Sequence, residues 1–425
     1  MIWNRAAETG DREELEALQL RRLRDVVRRC AERVPIYRTS LPPHAAELLG
    51  TLDDIGSLPF TTKQDLRDRY PLGMLAVARE DVVRVHASSG TMGKPTVVAY
   101  TRGDIAMWAE VCARALAAGG AQPGDVVHNA YGYGLFTGGL GIHYGAEQLG
   151  CLVVPASGGN APRQLLLIAD FSARILCCTP SYALNLTDMM IASGLDPSEQ
   201  PLAYGIFGAE PWSEAMRDEI ERRLAITALD IYGLSEIIGP GVASECTEQA
   251  GAHIAEDHFF PEVVDPETGR RLPDGVRGEL VFTTLTKEAM PVLRYRTGDL
   301  ASLTREPCAC GRTLTRMSRV TGRTDDMIVV RGVNVFPSEV EAALLQVEGL
   351  APHYVLRLDR QTVHRRGTVE VEVGAPGVDR EQLSQEAARR LDRALGLSCD
   401  VRVVDEGHVA RSEGKATRVI DERLL

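Results

Sequence analysis

Between His86 and Thr101 the chain reads HASSGTMGKPTVVAYT. Ser88, Ser89 and Thr91 supply hydroxyls, Gly90 and Gly93 let backbone N–H groups approach an anion, and Lys94 adds a positive charge. Such a loop can cradle phosphate. It is not a Walker A loop: two residues separate Gly90 from Gly93 where that motif has four, and no Ser or Thr follows Lys94. Read alone, the same residues also describe a Ser/Gly-rich hairpin between two strands, so the choice falls to the rest of the chain.

A second set of residues suits a metal. Cys308 and Cys310 stand on a tight turn in EPCACGR, and Cys246 and His253 lie upstream in ECTEQAGAHIAEDH. Three thiols and an imidazole can close a tetrahedral structural zinc site, with no open position for catalysis. The single residue between Cys308 and Cys310 is not zinc-finger spacing, and His258 competes with His253 for the fourth position. The alternative is four unrelated reduced residues. Adjacent Cys177 and Cys178 read as small buried apolar residues.

The elements that must position these groups follow from hydrophobic periodicity. Leu15, Leu18, Leu23, Val26, Val27 and Cys30 predict an amphipathic helix over Arg12–Arg33. In LPFTTKQDL, Thr61 is placed as a helix cap with Gln64 reaching back. Between Val82 and Thr227 short apolar runs alternate with helical stretches, the pattern of an α/β domain: Val82–Ala87, Val97–Tyr100, Val126–Asn129, Leu152–Pro155, Ile175–Thr179 and Tyr204–Phe207. After Tyr232 short strands are expected at Phe259–Pro266, Gly278–Thr284 and Val292–Tyr295, as in a β-rich subdomain. From Thr324 a compact α+β unit is expected, with helices at Pro337–Val347 and Asp379–Leu395 and strands at Tyr354–Leu358, Thr368–Val373 and Asp400–Val404.

The 425 residues suit two or three domains. A net charge of −12, from 47 basic and 59 acidic side chains, argues against non-specific nucleic-acid binding. No apolar run approaches bilayer length, and Met1–Glu16 lacks the apolar core of a signal peptide. Nine cysteines scattered through a long chain look like reduced thiols. A cytoplasmic protein without membrane contact is the expectation.

Seven runs occur in order: SSGTMGKPTVVAYT, NAYGYGLFTGGLGIHYGAEQLG, GAEPW, DIYGLSEIIGPGVASEC, RYRTGDL, GRTDDMIVVRGVNVFPSEVE and RSEGKATRVID. Together they resemble the phenylacetate–coenzyme A ligase family, within the superfamily of acyl-adenylate-forming enzymes, from about Leu58 to the end. The resemblance implies a large multi-subdomain α/β adenylation domain over 1–324, with a β-rich subdomain, and a small mobile α+β domain over 325–425. It implies ATP, Mg²⁺ and coenzyme A, a small aromatic acid as substrate, and the homodimer that the family suggests. The acid is first adenylated by ATP, because a carboxylate is a poor electrophile and AMP a far better leaving group than oxide. A thiol then takes the acyl group.

Carried over by position, Tyr232 stacks on adenine, Glu236 holds Mg²⁺, Asp299 accepts from the ribose hydroxyls, and Arg323 lies near the ribose and α-phosphate. Gly208, Ala209, Glu210, Asp230, Gly233 and Ser235 complete the nucleotide site beside the phosphate loop. Asp325 is the hinge, and Lys415 stabilises charge during adenylation. The acid pocket takes Tyr131, Gly132, Tyr133, Gly134, Phe136 and Gly138, with Gly208, Ile237 and Gly239 as further walls. Aromatic rings separated by glycines suit a flat slot for an arylacetate, benzoate or aminobenzoate, although several are equally explained by core packing. Met92 stands where the family has a second threonine, and Gly298 where many members have arginine. A close rival loads an acyl carrier protein, and Lys63 and Arg67 are the candidates for a coenzyme A phosphate. A non-catalytic nucleotide sensor would be expected to lack Glu236, Asp299 or Lys415, and all three are present.

Overall fold

The computed structural model describes residues 1–88, 95–324, 328–330, 333–358, 368–375, 377–395, 399–411 and 416–421; the side chains of 329, 330, 333 and 334 are excluded. The helix Arg12–Arg33 forms as its periodicity requires, with Asp11 capping through bonds from Glu13 and Glu14 N–H. Leu15, Leu23, Val26, Val27 and Cys30 face inward. Gln19 is buried as well, and its amide donates to the Glu256 carbonyl at 2.9 Å.

β1 (Arg84–Ala87) and β2 (Val97–Tyr100) pair antiparallel and flank residues 89–94. They were expected within the α/β alternation, but form a separate two-stranded sheet. The alternation proper begins with β3 (Val126–Asn129) and continues through β4 (Leu152–Val154), β5 (Ile175–Cys178), β6 (Tyr204–Gly208) and β7 (Thr227–Leu234). These five run parallel in the order β4-β3-β5-β6-β7. Helices cover them, so β5 is buried at every position and reads as a continuous apolar run.

The same sheet then turns antiparallel. β8 (Gly239–Ser244) folds back on β7 and β9 (Ala252–Ile254) on β8. β10 (Phe259–Val264), β11 (Gly278–Thr284), β12 (Tyr295–Ala301) and later β15 (Gly322–Arg323) form the expected β-rich unit as a four-stranded antiparallel sheet. Between them, β13 (Leu303–Thr304) and β14 (Arg316–Met317) extend the large sheet to nine strands.

Two local expectations fail. The cap before Lys63–Asp68 is Thr62, whose partner is Asp65, because Thr61 is drawn into the core. There the Thr61 hydroxyl donates to the Leu293 carbonyl at 2.6 Å and contacts the Tyr37 hydroxyl. Gln64 donates instead to Asp68. The strand expected at Val292–Tyr295 starts only at Tyr295, since Arg294 has a left-handed φ of 43°.

Beyond Thr324, the short pair β16 (Ile328–Val330) and β17 (Val333–Val335) precedes the helix Pro337–Leu344. β18 (Leu350–Leu358), β19 (Thr368–Val373), β20 (Asp400–Val404) and β21 (Val419–Asp421) form a four-stranded sheet ordered β20-β19-β18-β21. The helix Arg380–Leu395 buries Ala387, Leu391 and Leu395 in this unit's own core.

Candidate active site

Ligands in open α/β sheets collect outside the carboxyl ends of the parallel strands, and four such ends carry the expected site. At the end of β3, the Asn129 amide donates to the Tyr133 hydroxyl and the Gly139 carbonyl, at 2.9 and 2.8 Å. This folds the 130–139 loop over the sheet. Tyr131 is buried and points its hydroxyl at the Ile206 carbonyl, so it belongs to the core. Gly132, Tyr133, Gly134 and Phe136 keep open surface, as does Leu135, which the sequence did not single out. A Cβ at Gly138 would lie 2.5 Å from the Phe136 ring, so only glycine lets that ring rest on the start of helix Thr137–Leu149.

At the end of β6, a Cβ on Gly208 would meet the Ile231 carbonyl oxygen at 2.1 Å. Ala209 adopts a left-handed φ of 71°, a conformation that costs a non-glycine residue energy and collects at functional sites. Glu210 accepts from the N–H of Ser181, beyond the end of β5, at 2.8 Å.

At the end of β7, Tyr232, Asp299 and Arg323 converge. The Tyr232 hydroxyl donates to Asp299 Oδ2 at 2.6 Å. Arg323 pairs with Asp299 Oδ1 and donates to the Thr297 carbonyl. Neighbouring strands align them, since Asp299 on β12 sits opposite Arg323 on β15. Burial and then the Asp299 charge push the Tyr232 hydroxyl well above its ordinary pKa. Burial and the Glu245 charge raise Asp230 to about 6, against Arg319.

Glu236 lies on the turn between β7 and β8. This turn is tight: a Cβ on Gly233 would stand 1.8 Å from the Gly239 carbonyl oxygen, and Gly239 has φ 119°. Ser235 contacts Thr137 Oγ1 at 3.3 Å, joining the turn to the pocket loop. Ile237 is wholly buried beneath the turn rather than lining an open slot. Glu236 is 5% exposed, and among the described residues no side chain bonds its carboxylate. A hard anionic oxygen so placed fits Mg²⁺.

Ser88 Oγ, Thr96 Oγ1 and His86 Nε2, at the stem of the glycine-rich loop, are buried with no hydrogen-bond partner among the described residues. Buried polar atoms are seldom left unpaired, so the stem has capacity for a polar ligand. Ser89, Gly90, Thr91, Gly93, Lys94, Asp325 and Lys415 lie outside the described residues.

The smaller unit docks beside this site. The Ala416 N–H donates to Glu210 Oε2 at 2.8 Å. Buried Glu341 accepts from the Ser213 N–H and hydroxyl at 3.1 and 3.0 Å and pairs with Arg418 at 3.0 Å. His353 meets Asp188 at 2.8 Å. Ser213 caps a helix, and Glu341 reads as one acidic position among many, so nothing local marks either as a docking residue.

The Cys246, His253, Cys308 and Cys310 ligand atoms all lie within 4.8 Å of one another. Cys246 Sγ and Cys308 Sγ are 3.8 Å apart, and Cys310 Sγ is 3.4 Å from His253 Nε2. Tetrahedral zinc, with Zn–S ~2.3 Å and Zn–N ~2.05 Å, places ligand atoms roughly 3.6–3.8 Å apart. Three thiols and one imidazole at these distances fit zinc. His258 is excluded from the set: its ring faces Thr286 Oγ1 at 2.8 Å and Asp257 at 3.2 Å.

With this geometry in place, residues 18–286 match the AMP-binding enzyme family and residues 332–423 the AMP-binding enzyme C-terminal domain. The phenylacetate–coenzyme A ligase of Thermus thermophilus is 51% identical over 444 residues, with 100% of each chain covered. The chain belongs to the phenylacetate–coenzyme A ligase family. The fold of this ligase family also appears in solved structures of 2-hydroxyisobutyryl-CoA ligase, 29% identical to the chain. Its postadenylation state bound to R3-HIB-AMP superposes with a TM-score of 0.92, covering 100% of this chain and 93% of that one. The same ligase in the thioesterification state gives 0.74, covering 99% and 92%. The small unit therefore lies nearer to its place in the first of these two structures than in the second. Among the described residues no helix is long and apolar enough to cross a membrane.

Proposed function

We propose that the chain activates a small aromatic carboxylic acid with ATP and passes the acyl group to coenzyme A. The observation that carries this reading is the joining of Tyr232, Asp299 and Arg323 in one cluster beside Glu236, at the carboxyl ends of the parallel strands. That cluster offers a ring face, a carboxylate for ribose hydroxyls and a fixed cation for phosphate. Family membership at about half identity supplies the reaction class.

In the first half-reaction a carboxylate oxygen of the acid attacks the α-phosphorus and pyrophosphate leaves. Ser88, Ser89, Gly90, Thr91, Gly93 and Lys94 hold the phosphates, with Gly208, Ala209, Glu210, Asp230, Gly233 and Ser235 around the nucleoside. Glu236 would hold Mg²⁺, which would supply charge neutralisation at the phosphates. Lys415 places a cation against the charge that develops at the α-phosphate. In the second half-reaction the thiol sulfur attacks the acyl carbonyl carbon and AMP leaves. Phe136, Tyr133 and the glycines between and after them receive the aryl group.

The division between domains falls at 324/325, with Asp325 as hinge; the docked small unit, held through Glu341, Arg418 and Ala416, supports that division. The Cys246–His253–Cys308–Cys310 cluster holds a structural zinc ion. Nine unpaired cysteines suit a reducing cytoplasm.

Lys415→Ala tests the assignment. Pyrophosphate release with ATP, Mg²⁺ and an arylacetate should fall by about 10²-fold or more. Transfer from a supplied acyl-adenylate to coenzyme A should be unchanged. Equal loss of both steps would remove Lys415 from its role.

A further inference from the structure

Lys287 is fully buried, with 0% exposure. A buried ammonium is ordinarily paired with a carboxylate, yet among the described residues none lies within ion-pair distance of it. Its Nζ donates instead to the backbone carbonyl of Glu236 at 3.2 Å and stands 5.2 Å above the Tyr100 ring. The backbone on its far side is fixed as well. The buried Asp104 carboxylate accepts from the N–H groups of Glu288 and Ala289, at 2.6 and 3.0 Å, and from Thr101 N–H at 3.0 Å.

Two neighbours act on the same turn. The Tyr100 hydroxyl donates to the Ile238 carbonyl at 2.9 Å, and Trp108 Nε1 donates to the Pro240 carbonyl at 3.0 Å. Tyr100 and Trp108 stack at 5.3 Å, and His86, two residues before Ser88, packs edge-on against both. Alternate carbonyls of the 236–240 turn are thus held by three donors, two of which stack with each other and pack against His86 on β1. A backbone so anchored cannot swing the Cα–Cβ bond of Glu236 away without breaking a buried bond, which narrows the positions its carboxylate can reach.

We propose that Lys287 is a positioning residue for adenylation: by holding the Glu236 carbonyl it aims the Glu236 carboxylate at the metal–phosphate position, with Tyr100 and Trp108 fixing the rest of the turn. This rests on the nucleotide-site reading above. The adenylation step needs this aim; thiol attack on a preformed adenylate does not. An apolar residue of similar length would fill the same volume, so a purely packing role predicts no difference between the two half-reactions.

The test uses the full chain and Lys287→Met, which keeps the stem and removes the ammonium. By titration calorimetry, ATP affinity without divalent metal should stay within about twofold of wild type, and affinity with Mg²⁺ should weaken by about tenfold. Pyrophosphate release should fall by about 10²-fold, while thioester formation from supplied acyl-adenylate stays within about twofold. Amide hydrogen exchange across 235–240 should rise without ligand. Tyr100→Phe, which keeps the ring and removes the hydroxyl, should lower Mg²⁺-dependent affinity and pyrophosphate release by about 3- to 10-fold and leave metal-free affinity and thioester formation within about twofold. It decides the matter if Lys287→Met does not fold. Equal loss in both half-reactions, or unchanged Mg²⁺-dependent affinity, would overturn the proposal. Wild-type protein that binds Mg²⁺–ATP but releases no pyrophosphate with any aryl acid would instead overturn the ligase reading.

Discussion

The strand Gly239–Ser244 joins two regions that are fixed by different means. At its first end, the turn carrying Glu236 is held by donors from the core: Lys287, Tyr100 and Trp108 each take one carbonyl. Just beyond its other end, Cys246 meets His253 on β9 and Cys308 and Cys310 on one distant turn. No disulfide closes that group; three thiols and an imidazole face one centre. Hydrogen bonds to a packed core fix the turn through its carbonyls and leave the Glu236 carboxylate unbonded among the described residues. A metal ion held by the second group would tie distant loops together and occupy all four ligand atoms. The first arrangement leaves Glu236 available, and the second leaves nothing available for chemistry.

The largest effect expected from breaking this contrast is at the cluster. Cys310→Ser should abolish stoichiometric zinc and lower the melting temperature by about 5–10 °C. Elemental analysis and calorimetry on one preparation check both. Adenylation at 25 °C should persist, because the Glu236 turn is anchored independently. Loss of adenylation at unchanged melting temperature would mean the two ends are not separate.

A smaller loss of stability is expected on the other side. Asp104→Asn disturbs one of three buried acceptor bonds and should cost about 2–3 kcal/mol in urea unfolding. Zinc content should stay at wild-type level while adenylation falls. Reduced zinc in this variant would show that the core cluster supports both ends.

The smallest effect belongs to the contacts that dock the small unit. Glu341→Gln leaves Arg418 without its counter-charge and weakens docking of the small unit by about 1–2 kcal/mol. Adenylation should fall by about 5- to 10-fold, with thiol transfer equal or faster. A parallel fall in both rates would remove this pair from the control of domain orientation.

Much of the architecture was legible because it rests on local rules. The helix Arg12–Arg33 and the strands Val97–Tyr100, Val126–Asn129, Gly278–Thr284 and Asp400–Val404 fall where periodicity and turn residues place them. The failure at Thr61 has a long-range cause. Thr61 is a plausible cap on its own, but Tyr37 and Leu293, far away in sequence, hold its hydroxyl in the core. The pocket loop was legible as a run of aromatics and glycines, whereas the burial of Tyr131 and Ile237 depended on which face the sheet presents.

By itself, the sequence determined the family and the order of its elements, because both are written in contiguous runs. It also named the four zinc candidates from composition and turn geometry. Only the tertiary structure decided between His253 and His258, because that choice depends on how β9 aligns with β14. It alone joined Tyr232 to Asp299 across 67 residues and set Lys287 beneath Glu236 across 51. Nothing near Lys287 in the chain announces its partner. A buried charge acquires its role from the groups that folding brings against it, and those come from elsewhere in the sequence.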